Sequence, residues 1–150
     1  MADGKKGMPP AYLLLTTLLM WGADQLAPGF LLFEAPQKYA GGLLILVGIF
    51  MVVWNATRFA KVGTTIKPFQ ESTFLLQRGL YRYSRNPIYL GMVAVLFGVA
   101  VVLGSLTSFL LIPFFVWVIQ ARFIVPEEQM LEQTFGEPYL QYKARVRRWI

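Results

Sequence analysis

The chain has 150 residues, of which 56% are hydrophobic and only 15% charged, with a net charge of +6. A soluble domain averages about a quarter charged residues, so this composition points to lipid as the solvent. There is no cysteine and no histidine, which excludes disulfides, thiolate nucleophiles, the usual zinc motifs and the commonest metal ligand, so no metal site is expected.

The length suits one domain, 1–150. The positive charge is not read as a nucleic-acid footprint, because the basic residues cluster beside hydrophobic spans, as membrane topology requires.

A spanning helix needs about 20 mostly apolar residues, and four stretches approach this, at about 12–32, 39–59, 87–103 and 106–125. The first is the weakest, since Asp24, Gln25 and the Pro28-Gly29 pair interrupt it. Lys5 and Lys6 ahead of it resemble the start of a signal peptide. Trp21, two residues before Ala23, spoils the cleavage pattern, so the helix is expected to be retained. The second is clean until Asn55. Only Gly104 and Ser105 separate the third from the fourth, which predicts a tight antiparallel hairpin. Gly91, Ala94 and Gly98 share one face of the third span and permit close helix packing.

Four crossings that start inside place nearly every basic residue on one side. Lys5 and Lys6 lie in the N-terminal tail. Lys61, Lys67, Arg78, Arg82 and Arg85 lie in the central loop, with Arg58 just inside the span. Lys143, Arg145, Arg147 and Arg148 lie in the C-terminal tail, with Arg122 near the last exit. Only Lys38 falls outside. The expected architecture is therefore an all-α, multi-pass membrane bundle with both termini cytoplasmic. A polar connector, 61–86, and a segment at 127–150 lie on the cytoplasmic side. The latter reads as two amphipathic helices broken at Gly136-Glu137-Pro138, with Tyr139, Tyr142, Val146 and Trp149 at helical spacing.

Two places concentrate chemistry. Residues 79–91 hold Tyr81, Arg82, Tyr83, Arg85, Asn86 and Tyr89 at one membrane face. Asn86 and Pro87 are a favoured cap and first residue for the third span, but a plain helix start does not need three tyrosines. Pro126-Glu127-Glu128 closes the fourth span, where proline is expected to begin a new helix with acidic residues in its first turn. The hairpin brings Arg85, Asn86 and Tyr89 near Glu127 and Glu128. A pocket with both charge signs and aromatic walls suits a zwitterionic cofactor.

These residues resemble a family. Arg85-Asn86-Pro87-Ile88-Tyr89 followed by Glu127-Glu128 is similar to the Arg-His-Pro-x-Tyr and Glu-Glu hallmark of the isoprenylcysteine carboxyl and phospholipid methyltransferases of membranes. Gly79-x-Tyr81 matches the lead-in, and Phe135-Gly136-x-x-Tyr139-x-x-Tyr142-x-x-x-Val146-x-Arg148 the closing pattern. The resemblance covers about 64–149. It departs at Asn86, which stands where the eukaryotic enzymes have His and cannot titrate.

The resemblance implies methyl transfer from S-adenosylmethionine, with S-adenosylhomocysteine as product, to a lipid-like or small-molecule acceptor. It implies cofactor binding by Tyr81, Arg85, Asn86, Tyr89, Glu127 and Glu128, with Glu128, Tyr142 and Arg148 as catalytic residues. For an amine acceptor, Glu128 or Tyr142 is expected to assist proton loss. The connector residues Lys67, Pro68, Phe69 and Glu71, with Tyr139, Tyr142, Arg145, Arg148 and Trp149, are expected to frame a side entrance from the inner leaflet. Two other readings stay open: a non-enzymatic membrane subunit binding anionic lipid or a partner, and an NADPH-dependent sterol-reductase-like enzyme. The acceptor and the oligomeric state are not legible in the residues.

Overall fold

The computed structural model describes residues 8–27, 29–61 and 75–150. Lys5, Lys6, Lys67, Pro68, Phe69 and Glu71 lie outside the described residues. Every named element is helical: α1 Pro9–Leu26, α2 Gln37–Lys61, a 3-10 turn Gly79–Arg82, α3 Pro87–Leu103, α4 Leu106–Ile119, a π turn Gln120–Ile124, α5 Val125–Phe135 and α6 Glu137–Arg145.

Two of these are long and apolar enough to cross a membrane: α2, over Gln37–Arg58, and the continuous helix Leu106–Phe135 formed by α4, the π turn and α5. The apolar part of that second helix ends at Val125, and the glutamates of α5 follow it. α3 is a shorter apolar helix. Leu43, Leu46, Phe50 and Val53 of α2 are each more than half exposed. An uncovered apolar face of this extent suits lipid rather than water.

α1 stops at Leu26, short of the expected 32. Proline disfavours a helical residue before it, and Ala27 has left the helix, at φ −154° and ψ 72°. The chain then folds back over the α3–α4 turn. The Leu32 amide donates to the Gly104 carbonyl at 2.7 Å and the Leu106 amide to Phe30 at 3.0 Å. Gly104 closes α3 in the left-handed conformation, at φ 84°. A side chain there would strike the Phe33 carbonyl. Lys38, the one basic residue expected outside, donates from Nζ to the Leu103 carbonyl at 3.3 Å. Its charge thus sits at the negative end of α3.

The helices alternate in direction. α1 runs antiparallel to α4: Tyr12 meets Phe123 and Arg122 at one end, and Thr107 donates to the Ala27 carbonyl at the other. α2 and α3 also run antiparallel, and α3 packs most extensively on α2 rather than on its hairpin partner α4. Glycines explain this. Gly41 lies against Gly98, and Gly48 against Gly91, each near the carbonyl oxygen of the other. Met20, Met92, Leu96, Ile112, Phe115, Ile119 and Phe123 fill the core between α1, α3 and α4.

Pro126 does not begin a separate helix as expected. The chain enters it through the π turn, where the Val125 amide reaches back to the Gln120 carbonyl. The extra residue in this turn rotates α5 relative to α4 and absorbs the hydrogen bond that proline cannot make.

Candidate active site

The site forms where α3 begins and α5 follows the fourth apolar stretch. Gly79, at φ +66°, leaves room for the Arg58 guanidinium and turns the chain into the 3-10 segment. Asn86 occupies the N-cap position of α3, but its side chain makes no cap hydrogen bond. Its Nδ2 donates instead to the Arg148 carbonyl at 3.0 Å. The buried Ser84 Oγ donates to the same carbonyl and accepts the Asn86 amide. The Arg85 amide donates to the Arg147 carbonyl at 3.0 Å. Residues 146–149 are thereby laid across the start of α3 instead of continuing the helix that the spacing of Val146 and Trp149 predicts, since α6 ends at Arg145.

Glu128 is the electrostatic centre. It is buried, 6% exposed. Arg148 grips it with two bonds, Nε to Oε1 at 2.9 Å and Nη2 to Oε2 at 2.7 Å. Arg85 Nη2 adds a third contact to Oε1 at 3.1 Å. This fork matches the planar carboxylate and fixes its orientation. The Arg85 side chain is 9% exposed, and its buried Nε and Nη1 have no hydrogen-bond partner. A buried cation with spare donors is costly, and an anion is what would satisfy it.

Glu127 belongs to a second pair. Tyr89 Oη donates to Glu127 Oε1 at 2.8 Å. Burial pushes the Glu127 carboxyl up to about 7, against the opposing pull of the Tyr89 hydrogen bond. On α6, Tyr142 Oη donates to the Tyr81 carbonyl at 2.8 Å. Burial raises the hydroxyls of Tyr139, to about 12, and of Tyr142, while the Arg85 charge lowers both. Hydrogen bonding to Glu128 holds Arg148 above its usual value. All these tyrosines are neutral near pH 7, so they offer aromatic faces and hydroxyl donors rather than charge.

The structure therefore brings together Tyr81, Arg85, Asn86, Tyr89, Glu127, Glu128, Tyr142 and Arg148. Of the residues expected to frame a side entrance, Tyr139 is buried and Trp149 packs against the core, while the connector half lies outside the described residues. Ser84 and Gln120 were not singled out by sequence. Ser84 carries no signal beyond being polar before a helix start. Gln120 accepts the Trp149 indole N–H at 3.1 Å, a contact that depends on the π turn.

A model of the phospholipid methyltransferase family matches residues 36–138. The chain is 35% identical over 72 residues to a protein-S-isoprenylcysteine O-methyltransferase of Schizosaccharomyces pombe, covering 48% of this chain and 30% of that one. It is 35% identical over 78 residues to protein-S-isoprenylcysteine O-methyltransferase A of Arabidopsis thaliana, covering 52% and 40%. An uncharacterized protein of Haemophilus influenzae is 36% identical over 63 residues, 42% of this chain and the whole of that one. The similarity thus spans well under half the length of the two named enzymes. No solved structure matches. With the family's model covering more than half of its length, the chain belongs to the phospholipid methyltransferase family.

Proposed function

We propose that this protein transfers a methyl group from S-adenosylmethionine to an amphipathic, lipid-like acceptor at the cytoplasmic face of a membrane. The observation that carries the reading is Arg85: only 9% exposed, bonded to the Glu128 carboxylate through one nitrogen, and left with two buried nitrogens that have no hydrogen-bond partner. A cofactor with an amino-acid end offers a second carboxylate for the open nitrogens of Arg85 and a cation for Glu127 or Glu128. When bound, the sulfonium supplies an activated methyl group for direct displacement.

The protein's part is alignment and exclusion of water. Arg85 would hold the carboxylate, Glu127 and Glu128 the ammonium or ribose hydroxyls, and Tyr81 and Tyr89 the walls. Arg148 positions Glu128, and Asn86 positions the C-terminal segment. A carboxylate acceptor is already ionised and needs no base. For an amine, our reading gives proton acceptance to Glu127 rather than to Glu128 or Tyr142, and two contacts support it. Glu128 is tied between two arginines, and the Tyr142 hydroxyl is spent on the Tyr81 carbonyl. Glu127, pushed up to about 7, is matched to that task.

The test is thermal. S-adenosylhomocysteine at about 100 times its Kd should stabilise the detergent-solubilised protein by about 2.7 kcal/mol. A rise in melting temperature with NADPH instead would overturn the proposal.

The same reading carries a four-crossing topology with both termini cytoplasmic. The alternating helix directions and the basic residues at one end support it. Because the chain lacks cysteine, single cysteines report cleanly. Gln37→Cys in intact cells should react with an impermeant maleimide, and Ile150→Cys only after permeabilisation. The reverse pattern would invert the topology and put the site on the wrong face for a cytosolic cofactor.

A further inference from the structure

The Glu128 carboxylate is nearly saturated. Its two oxygens offer about four acceptor positions, and three are taken: two by Arg148 and one by Arg85. One position is left, so a cationic end that engages both oxygens must displace one of the arginines. The two arginines differ in how firmly they are held. The Arg85 side chain is 9% exposed and sits at the start of α3, beneath Tyr139 and Tyr142. The Arg148 side chain is 34% exposed. It rides on a non-helical segment beyond α6, which the chain enters at Val146, φ −120° and ψ 128°.

That segment is fastened by few bonds. Besides the Arg148 fork, they run from the Val146 amide to the Tyr142 carbonyl, from the Arg85 amide to Arg147, from Asn86 and Ser84 to the Arg148 carbonyl, and from the Trp149 indole to Gln120, with the Trp149 ring against the core. Two of the fastening residues, Arg85 and Asn86, belong to the site itself. The bonds that hold the segment down and the charges that a ligand would contact are therefore parts of one network.

We infer that Arg148 is a built-in competitor for the cationic end of the cofactor, and that residues 146–150 form a latch released when that end takes Glu128. This rests on the reading of the site given above. Arg148 is then more than a brace: the carboxylate it orients is one it must also give up. The exchange is charge for charge, so Glu128 never stands buried without a partner, a state that would cost far more than either pairing.

A brace and a competitor make opposite predictions. Removing a brace weakens ligand binding, whereas removing a competitor strengthens it. By isothermal titration, Arg148→Met should bind S-adenosylhomocysteine about tenfold more tightly than the parent, the scale of one charge-assisted bond. Arg148→Lys, which keeps the cation but loses the fork, should fall between them and guards against misfolding of the first variant. Unchanged or weaker binding in both would overturn the latch.

Trypsin gives an independent readout. Ligand should speed cleavage after Arg147 and Arg148 in the parent, read by intact mass, although ligands normally protect. Protection, or no change while the ligand binds, would also overturn the latch and leave the methyltransferase reading standing. If the parent binds no S-adenosylhomocysteine at all, the reading of the site falls and the latch falls with it.

Discussion

Glu128→Gln should be among the most damaging single substitutions in this protein. It keeps the shape of the side chain and removes the charge that Arg85 and Arg148 share. Arg148 is partly exposed and can turn to water. The Arg85 side chain is only 9% exposed, its Nε and Nη1 are already without partners, and it would lose its carboxylate. Breaking a buried ion pair from one side typically costs 3–5 kcal/mol. We expect a loss of about 3 kcal/mol in denaturant unfolding from detergent micelles, together with loss of methyl transfer. The double variant Arg85→Met, Glu128→Leu removes both buried charges and should recover more than half of that stability without recovering activity. The contrast separates the two roles, because a purely structural pair would regain both. If Glu128→Gln unfolds within about 0.5 kcal/mol of the parent, the carboxylate is not holding Arg85 and the electrostatic account of the site is wrong.

Much of the site was legible because it depends on topology. A two-residue turn between two apolar stretches forces their far ends together, so the convergence of Arg85, Asn86 and Tyr89 on Glu127 and Glu128 follows from spacing alone. α3 was read to the residue, since Pro87 starts it and Gly104 stops it, and both act locally. α1 was overrun because Leu31 and Leu32 are as apolar as a helix interior. Hydropathy counts them, whereas Pro28 and Gly29 decide the backbone.

What stayed hidden is pairwise. No local pattern says that Asn86 will leave its capping role for the Arg148 carbonyl, or that Glu128 will take two arginines and Glu127 a tyrosine. Nor does any signal mark the π turn, although Pro126 is the residue that benefits from it. The face of α3 carrying Gly91 and Gly98 was recognised. Its counterpart on α2, Gly41 and Gly48, shares the seven-residue spacing and was visible in the sequence, but finding it requires knowing that α2 is the partner.

That interface supports the second large effect. A Cβ on Gly98 would lie 2.6 Å from the Gly41 carbonyl oxygen and 2.8 Å from the Ile45 amide. Both are backbone atoms, so no rotamer change relieves the clash, and α2 and α3 must move apart. In lipid the helices gain little from hydrophobic burial on association, and close packing carries more of the interaction. Gly98→Ala should cost about 1–3 kcal/mol, the usual range for overpacking, and Gly98→Leu more. Separation would also tilt α3 and carry Arg85, Asn86 and Tyr89 away from α5, so cofactor binding should weaken even though Gly98 lies several turns from the site. Gly42→Ala and Gly22→Ala are the matched controls. A Cβ at either meets nothing within 4 Å, and alanine gains about 1 kcal/mol of helix propensity over glycine. Both controls should therefore be neutral or stabilising. Unfolding by sodium dodecyl sulfate titration reads all four variants on one scale. If Gly98→Ala behaves like Gly42→Ala, the two helices are not in backbone contact at this position.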